Sequence, residues 1–178
     1  MQTIQIKDKS FTLSIKSEDI QKEVIRVAHE ISRDLADKNP IFLSVLNGSF
    51  MFTADLMKHI NIPCELSFVK LASYQGLAST GTIKEVMGLN EDITGRTVVI
   101  IEDIVDTGYT MQNLLESLGT RNPAAIHIAS LLVKPENLKV DLDIKYAAMR
   151  IPNDFIVGYG LDYDGYGRNY ADIYTVVE

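Results

Sequence analysis

The stretch Val98-Val99-Ile100-Ile101-Glu102-Asp103-Ile104-Val105-Asp106-Thr107-Gly108-Tyr109-Thr110 limits the fold more than any other in this chain. Its successive apolar residues read as a strand buried on both faces, as in a parallel sheet. They lead into Glu102, Asp103 and Asp106, then a small-residue turn, then Met111, Leu114, Leu115 and Leu118 at helical spacing. In open α/β sheets, ligands bind just beyond the carboxyl ends of the strands, where these acids fall. The free N–H groups of such a turn and helix start favour a phosphate. Acids beside a phosphate repel it unless they face sugar hydroxyls or a metal, so the spacing suggests a phosphorylated sugar. The plainer alternative is a buried strand ending in a solvated acidic turn, with Asp106 or Thr107 capping the helix.

Two other motifs are excluded. Asp106-Thr107-Gly108 is the aspartic-protease triplet, but that fold is all-β and needs a second aspartate, whereas a helical stripe follows here. No Gly-Lys-Ser/Thr follows a glycine-rich loop, so no Walker P-loop is present.

The rest of the chain supports one α/β unit over residues 1–178, with no repeat or Gly/Ser linker. Ser17 is expected to cap a helix whose buried face is Ile20, Val24, Val27, Ala28, Ile31 and Leu35, ended by Asn39-Pro40. Ile41 to Leu46 reads as a buried strand, followed by Asn47-Gly48-Ser49 and a short helix through Phe52, Leu56 and Ile60. Further strands are expected at Glu65 to Leu71, Thr82 to Met87, Ala125 to Val133, and near Tyr146–Met149, Phe155–Tyr159 and Ile173–Val177. Ala72 to Gly81 is polar and small, which suits a loop.

Charge and cysteine content narrow the partners. A net charge of −7 argues against general nucleic-acid binding, but not against one small polyanion held by a metal and local N–H groups. No apolar stretch is long enough for a membrane span. Met1 to Lys7 lacks the apolar core of a signal peptide, and a lone Cys64 fits a reducing compartment, so a cytoplasmic location is expected. His29, His59 and His127 do not cluster at metal spacing.

The signature stretch resembles that of the type I phosphoribosyltransferases, which use 5-phosphoribosyl-1-pyrophosphate (PRPP). From about Ile41 to Arg168 the order of motifs is similar to the hypoxanthine (guanine) branch of that family. The resemblance implies a mainly parallel sheet flanked by helices, a small hood and a flexible loop. It further implies Mg²⁺-dependent transfer of the phosphoribosyl group to a 6-oxopurine, in a homo-oligomer (dimer or tetramer). By the same resemblance, Asp106, Thr107, Gly108, Tyr109 and Thr110 would cradle the 5′-phosphate, and Glu102 and Asp103 would bind the ribose hydroxyls. Asp106 would also act as acid or base at purine N7.

Other assignments follow from the same likeness. Leu46-Asn47-Gly48-Ser49 matches the pyrophosphate loop, which implies a non-proline cis peptide there. Asn47 stands where many relatives carry Lys or Arg, so backbone N–H groups and the metal would have to compensate. Read alone, the segment is an ordinary Asn-Gly turn. Ser73 and Tyr74 would cover the pyrophosphate from a lid, and Arg168 would meet it with its planar fork of donors. Lys134 would donate to purine O6, although read alone it is a solvated loop lysine. Phe155 would stack on the base, with Ile156 backbone groups and Leu161 beside it, although Phe155 and Ile156 read alone are strand core. Asp162 would bind Mg²⁺. An EF-hand reading of Asp162-x-Asp164 fails, because Tyr166 and Ile173 lack ligand oxygens where that loop needs them.

A nucleotide-sensing regulator that binds RNA is the competing class. It should carry a basic face, yet the chain has 24 acids against 17 bases. Within the enzyme class, a xanthine-preferring variant is the nearest rival.

Overall fold

The computed structural model describes residues 2–73 and 83–177, with backbone alone at 72, 73 and 83–87. The chain runs β1 (Thr3–Ile6), β2 (Lys9–Ile15), α1 (Ser17–Asp34), β3 (Ile41–Leu46), α2 (Phe50–His59), β4 (Glu65–Ser73), β5 (Ile83–Met87) and β6 (Thr97–Val105). It continues through α3 (Tyr109–Gly119), β7 (Ala125–Val133), β8 (Tyr146–Arg150), β9 (Ile156–Val157) and β10 (Ile173–Val176). The main sheet has the order β5-β4-β3-β6-β7-β8. All its pairings are parallel except β4 with β5.

The pleat of β6 sorts the core into two layers. Val99 and Ile101 join Phe42 and the buried faces of α1 and α2. Val98 and Ile100 join Leu43, Val45 and the α3 stripe Met111, Leu114 and Leu118. These strands therefore read as unbroken apolar runs, because each face is covered by helix. Each fully buried aliphatic side chain contributes about 1.5–3 kcal/mol, so this sheet is a rigid base for what projects from its carboxyl end. Among the described residues, no helix is long and apolar enough to cross a membrane.

Three expectations are corrected here. The N-cap of α1 is Lys16, without a side-chain cap. Ser17 is already helical, and its N–H donates to Asp172 Oδ1 at 2.6 Å. A carboxylate distant in sequence thus does what a local cap would do, which no local pattern reveals. Secondly, β6 continues through Val105, so Glu102 and Asp103 lie within the strand and not beyond it. Thirdly, β1 and β2 were not anticipated. They pair antiparallel and extend through β10 to β9 as a second sheet, in the order β1-β2-β10-β9. Its small core is Ile6, Phe11, Val157 and Tyr174, and it forms the hood.

The α1 face is buried as expected. The β4 strand runs two residues beyond its expected end, to Ser73. Tyr74 and most of the polar segment up to Gly81 lie outside the described residues.

Candidate active site

The two acids of β6 diverge because successive side chains on a strand point to opposite faces. Glu102, on the α3 side, is buried and lines a concavity of about 80 Å³ with Asp106, Thr107, Gly108 and Thr110. Burial, reinforced by the neighbouring Asp103 charge, pushes its carboxyl well above the usual range. Asp103, on the other side, is half-buried against Gly48. The ladder to β7 reaches Glu102↔Ser130 and resumes at Ile104↔Leu132. Between those two pairs the Asp103 N–H donates to Glu102 Oε1 at 3.0 Å, and the Ile104 N–H donates to Asp103 Oδ1 at 2.7 Å. Both carboxylates are therefore anchored by the backbone that carries them.

The turn after β6 is built for an anion. Gly108 is the N-cap of α3 in the left-handed region (φ 91°), and no described side chain caps the first turn. Neither Asp106 nor Thr107 takes the capping role of the plainer alternative. A Cβ at Gly108 would press on Val140 and Leu142 at 2.7 and 2.9 Å, so the position is closed to larger residues by both conformation and space. Tyr109 and Thr110 are exposed at the opening.

Asp106 faces a partner that corrects the solvated-loop reading of Lys134. The Lys134 side chain is only 9% exposed, and its Nζ lies 3.4 Å from Asp106 Oδ2, whose side chain is 45% exposed. The Asn137 amide donates to the other oxygen, Oδ1. Sequence reasoning did not single out Asn137.

The pyrophosphate-loop residues sit beside Asp103. The Leu46–Asn47 peptide is cis, so the segment is not an ordinary Asn-Gly turn. Asn47 is exposed, and Gly48 is buried with no room for a Cβ, because Asp103 occupies that space. Gly160 in turn stacks on the Gly48 carbonyl. Arg168 Nη1 donates to the Gly160 carbonyl at 2.7 Å, and Arg168 Nη2 pairs with Asp162 Oδ1 at 3.1 Å. Asp162 Oδ2 accepts the Gly165 N–H at 2.8 Å. Asp103, Gly48, Gly160, Arg168 and Asp162 thus form one continuous contact chain along the rim.

The hood supplies an aromatic surface. Phe155 is 45% exposed, which corrects its reading as core. It meets Tyr163 edge-on at 5.8 Å and Phe11 at 6.2 Å between ring centroids. The side chains of Ile156 and Leu161 are buried in the main core, leaving backbone as the part of Ile156 suited to a ligand. Ser73 ends β4 opposite Ile83.

No group of three or more His, Cys, Asp or Glu suited to a metal occurs among the described residues. That does not conflict with Mg²⁺, which is commonly held by one or two carboxylates plus substrate phosphate oxygens. Asp162 fits that pattern, since a carboxylate has acceptor capacity beyond the bonds it makes here. A larger concavity of about 340 Å³ beside α2 is a poorer candidate. Its Asp55 carboxylate is taken up by Tyr159 Oη at 2.5 Å and Gln21 Nε2 at 2.8 Å.

Comparison with known proteins agrees with this geometry. A family model described as the phosphoribosyl transferase domain matches residues 14–164. The hypoxanthine-guanine phosphoribosyltransferase of Streptococcus pneumoniae is 40% identical over 156 residues, covering 87% of each chain. That of Aquifex aeolicus is 37% identical over 174 residues, covering 97% of this chain and 98% of its own. A crystal structure of a hypoxanthine phosphoribosyltransferase from Staphylococcus aureus superposes with TM-score 0.85 at 36% identity, covering 93% of this chain and 90% of that one.

Proposed function

This chain belongs to the phosphoribosyl transferase family, and from that premise we propose that it is a purine-salvage enzyme. It transfers the 5-phosphoribosyl group of PRPP to hypoxanthine or guanine, giving IMP or GMP and pyrophosphate. The observation that carries the base specificity is the Lys134–Asp106 pair at the mouth of the phosphate turn. A 6-oxopurine presents O6 and N7 along one edge. Lys134 has only donors, which suits a carbonyl at position 6 and not the amino group of adenine. Asp106 takes the N7 proton as the C1′–N9 bond forms and the C1′–pyrophosphate bond breaks. Phe155 offers a face for the base.

At the sugar, the 107–110 turn takes the 5′-phosphate, and Glu102 and Asp103 accept from the ribose hydroxyls. Gly48 and Asn47 backbone, with Arg168, meet the pyrophosphate. Asp162 would hold Mg²⁺, which would supply positive charge to the pyrophosphate leaving group. Holding both reactants in line removes several kcal/mol of barrier. We place the enzyme in the cytoplasm as a homo-oligomer.

The test is pyrophosphate release with PRPP, Mg²⁺ and each of hypoxanthine, guanine, xanthine and adenine. Turnover with the first two and little with adenine is expected. Adenine used as efficiently as hypoxanthine would reject the Lys134 assignment, and a chelator without effect would reject the metal.

A further inference from the structure

Lys134-Pro135-Glu136-Asn137 forms a single 3-10 turn over Pro135–Asn137 with Lys134 as its N-cap. Lys134 and Asn137, at the two ends of this turn, both reach the Asp106 carboxylate. Pro135 presets the turn, and the Asn137 N–H closes it on the Lys134 carbonyl at 3.1 Å. The turn is pinned to the phosphate segment on both sides. The Lys134 N–H donates to the Val105 carbonyl at 3.0 Å, and the Lys139 N–H donates to the Thr107 carbonyl at 2.9 Å. Asp106 therefore sits between two fixed backbone clamps, with Asn137 Nδ2 on Oδ1 and Lys134 Nζ on Oδ2.

We propose that Asn137 is a positioning residue that fixes the Asp106 carboxylate for its work at the base. The proposal rests on the role given to Asp106 above. A carboxylate 45% exposed has freedom to rotate unless donors hold it. Lys134 is a shared donor, because it must turn toward O6 when a purine binds. Asn137 then holds Asp106 alone among the described side chains that bond it here. A neutral amide suits this task, since it orients the carboxylate without adding a second cation beside the reacting edge.

The experiment compares Asn137→Ala, Asn137→Asp, Asn137→His and Asp106→Asn in steady-state transfer to hypoxanthine, with thermal melts of each. His keeps an N–H near the same position on a similar frame, whereas Asp keeps the shape and offers only acceptors. Asn137→Ala is expected to lower kcat about tenfold or more, as losing a hydrogen bond to a charged group does, with KM for PRPP within about twofold. Asn137→Asp should fall further, because like charges then face each other, and Asn137→His should recover much of the loss. Wild-type kcat in Asn137→Ala, or equal activity of the Asp and His variants, would overturn the proposal. If Asp106→Asn collapses while the Asn137 variants are normal, only the positioning role fails. If Asp106→Asn is itself normal, the role of Asp106 fails and this one with it.

Discussion

Gly48→Ala tests whether the pyrophosphate loop and the ribose acids form one interlocked unit. Gly48 is not among the positive-φ residues, so its backbone conformation is open to alanine. Such a change ordinarily stabilises a protein by about 0.4–1 kcal/mol through the unfolded chain. Here the sign is expected to reverse. An added Cβ would lie 2.7 Å from Asp103 Cγ and closer still to Oδ2. The carboxylate must leave its rotamer, at about 0.5–1.5 kcal/mol. It must also release the Ile104 N–H held at 2.7 Å, a charge-assisted bond worth about 1.5–3 kcal/mol. Less the alanine gain, the net loss is about 1–4 kcal/mol. KM for PRPP should rise in parallel, because the displaced group belongs to the sugar site. The assay is denaturant unfolding of a double-mutant cycle. In an Asp103→Ala background the colliding atoms are gone and the nearest remaining one, Cβ, lies at an ordinary 3.4 Å. The same glycine change should then be neutral or stabilising. An equal loss in both backgrounds would refute the contact as the cause.

Lys134→Met should lower kcat/KM for hypoxanthine about 10- to 150-fold through the lost O6 donor. Stability should change by less than about 1 kcal/mol, since the partner carboxylate is exposed enough for screening; kinetics and melts check both halves. Asp162→Asn is expected to raise the Mg²⁺ needed for half-maximal rate about tenfold, and an unchanged metal titration would remove Asp162 from the metal. Asp55 supplies a pH test. Burial opposes its charge, but hydrogen bonds from Tyr159, Gln21 and Lys58 outweigh it and hold the carboxyl below its usual range. A depressed folded pKa stabilises fully above the unfolded value of about 3.9 and is lost as pH falls through the folded one. The melting-temperature gap between wild type and Asp55→Asn should therefore be widest near neutrality and close below about pH 4. A gap constant down to pH 2 would contradict it.

The central layer of the fold was legible because burial on two faces leaves a plain mark. Ile41 to Leu46 and Ala125 to Val133 have the bounds that their apolar runs imply. The hood strands β1 and β2 were missed because they are short and half-polar; they pair with each other as a local hairpin, and only β2 reaches the opposite terminus, through β10. Site residues divide in the same way. Gly48 was marked by motif, yet only the fold shows that Gly160 lies against its carbonyl and that Asp103 fills the place of a side chain. Lys134 looked solvated because it follows an apolar strand and precedes Pro135. Its burial comes from docking the turn onto Val105 and Thr107, a tertiary event. Asn137 had one readable signal, the proline-led three-residue spacing from Lys134, but spacing alone does not say what the pair faces.

The most direct test of the account is a crystal structure of this protein with PRPP and Mg²⁺ bound. The account expects the 5′-phosphate on the backbone N–H groups of residues 107–110, with the ribose hydroxyls toward Glu102 and Asp103. A bound PRPP whose phosphate lies elsewhere, with that turn empty, would contradict it.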